Sequence, residues 1–483
     1  MKRSVLMTAI LAATLSMGAT AAEPALTFTH LWTHGHTTSG QVSEIPAFDR
    51  RTNTIWVSGV VGVDVLDADT GSLVAHIDVR PYGFVNSVAI HNGLAALAIE
   101  AVAGVNGAVD RRSPGIVLFY DTKTLSLSDG PSQVTVGALP DMLTFTHDGS
   151  KLLVANEGTP NARADVAYTA PDPAGSVSII DMATRTVVAT AGFAGVPTAG
   201  SNLRNTAMDF EPEYIAVNQE GTQAFVTVQE ANAIAVLDLT LNAFTQVIGL
   251  GAKNFNEAGN EIDPKDNSSV DFVKVAAKGL YMPDGVAAYQ WRGNTYTVLA
   301  NEGDFREDNI DRSVASPTYG TAAALAPLDR LRVSNTDSSV GNLYAAGARS
   351  FSIRDADGNL VYDSGSRLDK EAHDRLIYDD GRSRDKGVEP EGVALLDIGG
   401  RTYAFIGLER ALKSAVAIFD ITDPTDVSFV DMIVTDGDLS PEGLAAYKYR
   451  GNFYLAIANE VPVTGGTSNT TLYLLERVLP KSK

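Results

Sequence analysis

Short stretches of alternating apolar and polar residues, and short wholly apolar runs, recur along nearly the entire chain. Gly, Asn, Asp and Pro bound them, which is the pattern of β-strands joined by tight turns. The clearest unit is Pro441 to Glu460, PEGLAAYKYRGNFYLAIANE. It reads as an alternating strand, a turn at Arg450-Gly451-Asn452, and a second strand of β-branched, aromatic and aliphatic residues. Antiparallel pairing brings the two ends together, so Glu442 and Glu460 become neighbours.

The same unit returns six times earlier. Hairpins begin at Glu44, Asn86, Asp141, Glu213, Asp284 and Glu391, and their second strands end at Ser58, Glu100, Glu157, Glu230, Glu302 and Glu409. A third strand follows each, commonly closed by an acid, as in GSVSIID up to Asp181, NAIAVLD up to Asp238 and SAVAIFD up to Asp420. Continuous apolar runs such as VSII and VAIF predict small sheets covered on both faces. Units of three or four short strands repeated in this way predict an all-β fold, a single seven-bladed β-propeller over residues 23–483. A β-sandwich array or two smaller β-domains are the rival architectures. The seventh unit lacks a fourth strand after Glu476, and the lone strand Leu26 to Thr33 is expected to fill that place and close the ring.

Insertions at 251–282, 303–347 and 367–388 read as polar, acidic loops, either functional lids or disordered. Asp263, Asp266, Asn267 and Asp271 superficially suggest a calcium loop without EF-hand spacing or its closing Glu; the alternative is a solvated loop.

Residues 1–22 change the expected compartment. Lys2 and Arg3 precede an apolar run from Val5 to Met17, and Ala19-Thr20-Ala21 supplies small residues for cleavage, the pattern of a secretory signal peptide. No later run approaches the ~20 apolar residues of a transmembrane helix, so the mature protein is expected to be periplasmic or secreted, with no membrane span. Removing two of the 37 basic residues with the signal leaves 35 against 58 acids, moving the formal charge from −21 to −23. Such a surface repels nucleic acid and anionic lipid and attracts divalent cations. There is no cysteine, which excludes disulfides, thiolate catalysis and Cys-type zinc or iron–sulfur sites.

Position gives the acidity its meaning. Of the fourteen hairpin ends, twelve are acidic: Glu44, Glu100, Asp141, Glu157, Glu213, Glu230, Asp284, Glu302, Glu391, Glu409, Glu442 and Glu460. With 58 acids among 483 residues, fourteen arbitrary positions would hold roughly two. In a propeller these ends share one rim of the central channel. So many carboxylates around one opening need counter-charges. Hard oxygen donors predict bound divalent metal, Ca²⁺ first and Mg²⁺ or Mn²⁺ after it. A solvated rim serving solubility is the plainer reading, and Glu211 or Glu389 could simply bond backbone amides at turns.

The histidines (His30, His34, His36, His76, His91, His147, His373) show no metal-ligand spacing, because His34-Gly35-His36 falls on the edge strand, and a structural role is expected for them. No G-x-S-x-G, Walker A or Rossmann fingerprint appears in context. Arg306 and Arg410 each follow closely on an acid of the ring; they either meet an anionic oxygen beside the metal or pair with those acids.

The segments ALPDMLTFTHDGSKLLVANEG, KGLYMPDGVAAY, LANEGDFRED and DKGVEPEGVALL together resemble the choice-of-anchor I family of secreted propellers. That family includes mesenchyme-specific cell-surface glycoproteins and bacterial proteins described as atypical alkaline phosphatases. The resemblance implies a calcium-linked extracellular role, with phosphatase activity attributed to some members. Its matching positions are Asp141, Glu157, Asp284, Glu302, Asp304, Arg306, Glu389, Glu391 and Glu409. The chain stops soon after the propeller with no anchor domain, which implies a free periplasmic protein.

Two functions follow. In the first, divalent metals at the acidic mouth support hydrolysis of a small phosphorylated substrate, with Glu302 or Glu409 orienting water and Arg306 or Arg410 balancing charge. In the second, the ring holds Ca²⁺ without catalysis, or the propeller docks a protein partner. Hydrolysis is the leading expectation.

Overall fold

Paired left-handed residues close four of the hairpins, Gly399-Gly400 among them. Asn92-Gly93, Arg292-Gly293 and Arg450-Gly451 all have positive φ, the twist that suits a two-residue connection between right-twisted strands. Asn452, read above as part of a turn, already belongs to the strand Asn452–Asn459. The computed structural model describes residues 25–103, 108–159, 173–204, 210–305, 312–314, 328–461 and 466–478; the signal segment and Arg306 lie outside them.

The described residues are mostly β, in many small and largely antiparallel sheets, with one α-helix at Arg367–Asp374. Seven of the sheets have four or five strands. Their opening strands are Pro46–Asp49, Phe84–His91, Pro140–Phe145, Pro212–Val217, Val286–Trp291, Pro390–Asp397 and Pro441–Tyr449. Each opening strand packs against that of the next sheet, and the seventh packs against the first. The N-terminal strand Ala25–Gly35 pairs antiparallel with Asn469–Val478 on the outside of the seventh sheet. Both strands are longer than expected, and the pairing partner is the one anticipated.

Apolar clusters join neighbouring sheets. Leu153, Val177 and Ile179 of the third pack with Val226, Ala235 and Val217 of the fourth. Ile55, Val57 and Leu66 of the first pack with Ala456, Ala458 and Leu472 of the seventh. Second strands are thus buried on both sides, and Ile55, Trp56 and Val57 are all fully enclosed. Each such side chain contributes about 1.5–3 kcal/mol.

A β-bulge recurs near the start of each opening strand. Asp141-Met142, Glu213-Tyr214, Glu391-Gly392 and Glu442-Gly443 each face a single residue of the partner strand. Glu44-Ile45 opposite Ser58 and Asp284-Gly285 opposite Ala300 follow the same bonding, and Asn86 supplies the extra residue in the second sheet. A bulge bends the strand and re-aims one side chain. Here it re-aims the acid. The residue two before the acid is left-handed at Leu139, Met282, Glu389 and Ser440, a conformation costing about 1–3 kcal/mol in a non-glycine residue. Its carbonyl accepts the N–H of Glu157, Gly303, Glu409 and Glu460 respectively, which ties the two acidic ends of each hairpin together.

The insertions differ from expectation. Ala252–Asn254, Lys278–Leu280 and Tyr344–Ala345 form a small three-stranded sheet. Phe255, Ile262, Val275, Leu331, Val333 and Leu343 form its apolar core. Within 367–388, Leu368, Ala372, Ile377 and Tyr378 pack against Phe351 and Phe419 of the main sheets. The described parts of these segments are folded because their scattered apolar residues find one another across the insertions. The suggested calcium loop is likewise spoken for. Asp263 is buried and accepts a hydrogen bond from Ser383, and Asp266 pairs with Arg330 and Arg384.

Candidate metal centre

Each of the twelve acids of the hairpin ends lies within electrostatic reach of others in the set. Glu44 feels Glu442, Glu460, Asp141 and Glu100; Glu213 feels Glu157, Glu230, Asp141 and Asp284. The closest approach is on one arc. Asp284, Glu302 and Glu391 bring carboxylate oxygens within 4.8 Å of one another, as do Glu302, Glu389 and Glu409, and again Glu391, Glu409 and Glu442. Glu44, Glu100, Asp141, Glu157, Glu213, Glu230 and Glu460 belong to no such triplet among the described residues.

Several oxygens on this arc lack partners. Glu391 Oε2 and Asp284 Oδ1 are shut off from solvent and accept no hydrogen bond, and Glu44 Oε2 is in the same state. A buried carboxylate left so is costly unless it takes up a proton or meets a cation.

Fixed cations answer part of this. Lys386, only 4% exposed, places Nζ 3.0 Å from Glu302, 2.9 Å from Glu389 and 3.3 Å from Asp304. Arg382 Nε donates to Glu389 at 2.6 Å, and Arg410 Nη2 lies 2.6 Å from Glu409. Gln229 donates to Glu302 at 2.8 Å. Across the opening Arg111 stands 3.7 Å from Glu100. Glu389 is therefore held by cations rather than by backbone amides, and Arg410 takes the prosaic alternative of pairing with its neighbouring acid. Lys386 and Arg111 were not singled out in the sequence, where neither stands next to an acid of the ring.

Replacing Lys386 by Met should cost about 2 kcal/mol in chelator-treated protein, less than a usual broken buried pair because the ring can take up a proton. The same change should tighten Ca²⁺ binding, since it frees three carboxylates. Urea unfolding and calorimetric titration of the variant check both signs.

Without a bound cation, burial and mutual repulsion favour protonation of the remaining carboxyls. At an effective dielectric near 20, two carboxylates about 4.8 Å apart repel by roughly 3.5 kcal/mol. Holding a proton at neutral pH on an ordinary Glu costs roughly the same, so one additional neighbour or burial tips the balance. Burial first, then Glu460, pushes Glu442 up to about 7. Burial and Asp141 push Glu157 to about 7, and burial raises Glu100 to about 7 against the pull of Arg111. Asp141 rises to about 6 through burial, again restrained by Arg111. Burial lifts Glu44, Glu213, Asp284, Glu391 and Glu409 well above the usual carboxyl range, with neighbouring carboxylates adding to it.

A cavity of about 190 Å³ opens among Glu44, Asp141, Glu157, Asp284, Glu442 and Arg111. A second, of about 310 Å³, is lined by apolar residues of the opening strands, including Val88, Leu143, Val286, Val393 and Leu444. Tyr214 borders both. Burial and the surrounding carboxylates keep its hydroxyl protonated. It sits beside Glu213 in the bulge, where the other sheets carry Ile45, Ser87, Met142 or glycine. That position was not distinguished in the sequence, although its size contrast with Gly285, Gly392 and Gly443 was legible there.

Comparison with known proteins adds a family and little else. The model described as Choice-of-anchor I domain matches residues 44–424, and that description carries no alkaline phosphatase-like activity. No curated protein matches the chain. Among solved structures, a chain of Kuenenia stuttgartiensis hydrazine synthase is similar at 12% identity and a TM-score of 0.49, covering 88% of this chain and 94% of that one. A chain of a mitotic checkpoint complex is similar at 11% identity and a TM-score of 0.47, covering 98% of each. Nothing about activity follows from either.

Proposed function

The chain belongs to the choice-of-anchor I family, and from that premise we propose that it is a secreted divalent-cation-binding protein with its site at the acidic mouth. In this reading the seven main sheets are the blades of one β-propeller, closed by the N-terminal strand. The cyclic packing of opening strands and the apolar cluster joining the seventh sheet to the first support that architecture. No helix among the described residues is long and apolar enough to cross a membrane.

The observation that carries the reading is the pair of enclosed, unpartnered oxygens on Asp284 and Glu391, each within a carboxylate triplet. Ligands drawn only from carboxylate oxygens suit Ca²⁺ ahead of Mg²⁺ or Mn²⁺. Glu391, which belongs to a triplet with Asp284 and to another with Glu442, would hold the ion together with those two acids. Cation binding has more support here than phosphoester hydrolysis. Lys386 with Gln229 already engages Glu302, and Arg410 engages Glu409, so neither carboxylate is left to orient a water.

Calorimetric titration of chelator-treated protein with Ca²⁺ tests this. Saturable binding is expected, weakened by roughly tenfold or more in Glu391→Gln and in Glu442→Gln. Absence of binding in the unaltered protein, or equal affinity in both variants, would sink the reading. Release of phosphate from an aryl phosphate that requires the same metal would place hydrolysis above simple binding.

A further inference from the structure

His34-Gly35-His36 was expected to be structural because its spacing suggested no metal site; folding supplies the missing partners. His34 lies on the N-terminal strand and His36 one residue beyond its end, and the two rings lie 5.2 Å apart between centroids. Asp64, from strand Gly62–Asp67 of the first sheet, meets them there. His36 Nδ1 is 2.7 Å from Asp64 Oδ2. One ring nitrogen from each histidine and one Asp64 oxygen lie within 4.8 Å of one another.

The two inner groups are braced from behind. Asp64 Oδ1 is 2.6 Å from His76 Nδ1, and His36 Nε2 is 2.9 Å from Thr470 Oγ1. Such outer partners orient metal-binding imidazoles and carboxylates. Asp64 is 1% exposed and His36 2%, whereas His34 is half-buried and leaves the cluster approachable. His76 Nε2 is closed off from solvent without a hydrogen-bond partner, an unmet polar atom in the same cluster.

We propose that His34, His36 and Asp64 form a second cation site, specific for a transition-metal ion such as Zn²⁺. Two imidazoles and one carboxylate, with coordination positions left open, suit borderline ions and discriminate against Ca²⁺, which prefers oxygen. The site spans two sheets: His34 lies near the end of the N-terminal strand of the seventh, His36 directly follows that strand, and Asp64 belongs to the first. A bound ion therefore fastens the end of that strand to the first sheet.

The test uses the whole mature protein, stripped with chelator and supplied with excess Ca²⁺ so that oxygen-only sites are filled. One equivalent of Cu²⁺ should give an electron paramagnetic resonance spectrum with coupling to two imidazole nitrogens. His34→Ala should lose one of those couplings and bind Zn²⁺ at least ~10-fold more weakly. An oxygen-only spectrum in the unaltered protein overturns the proposal, as does a His34→Ala variant indistinguishable from it. If that variant fails to fold, the spectrum of the unaltered protein still decides.

Discussion

Raising the pH of the metal-free protein from about 5 to about 8 is expected to destabilise it, the reverse of ordinary acid denaturation. Glu100, Glu157 and Glu442 have folded-state values pushed to about 7 from 4.5, and Asp141 to about 6 from 3.8. In the interval between those values the folded chain binds more protons than the unfolded one. Stability is therefore full below the unfolded values and is lost as the pH climbs through the folded ones. Each carboxyl that titrates contributes up to about 1.4 kcal/mol per pH unit. Because these groups share one opening, the loss accumulates along the series rather than appearing at a single step. Ca²⁺ binds the ionised ring, so saturating Ca²⁺ should flatten or invert the slope. Urea unfolding at several pH values, with chelator and then with Ca²⁺, measures both; stability that rises with pH in chelator would contradict the account of the ring.

Arg349→Met should cost about 3–5 kcal/mol, the usual penalty for stripping one partner from a buried pair. Arg349 is 2% exposed, and its Nη1 lies 3.6 Å from Asp369, which is fully enclosed. It also donates to the carbonyls of Asp263 and Asp385, at 3.1 Å each, and to that of Ser383. One guanidinium thus joins the first and third insertions to the strand Ser350–Asp355 that follows it. Replacing Asp369 as well, by Leu, removes the stranded carboxyl and should restore part of the loss. Unfolding in urea at neutral pH is the measurement, and a loss under about 1 kcal/mol would mean that the insertions are held by their apolar contacts alone.

The hairpins were readable because strand alternation and turn residues are local signals. Pro441 to Glu460 carries both, and its strands fall within a residue or two of expectation. The acids at the hairpin ends were readable for the same reason: repetition placed them in register before any contact was known. What could not be read were contacts between distant segments. Phe255, Leu331 and Leu343 share a core across nearly ninety positions with no period to announce it. Lys386 is one cation in a charged run, and only the folded insertion brings it against Glu302 and Glu389. The histidines show the limit most clearly, since Asp64 and Thr470 reach His36 from opposite ends of the chain.

The pairing of Ala25–Gly35 with Asn469–Val478 also sets the order of events by which the molecule is made. Thr27 bonds to the carbonyl of Glu476, a sequence separation of 449. A chain that emerges N-terminus first must hold this strand unpaired until residues 449 positions later appear. The entropy of closing so long a loop grows only as the logarithm of its length. Contacts this remote nevertheless slow folding, and they leave an exposed strand edge in the interim. Closure of the seventh sheet therefore waits on the strand made after all the others.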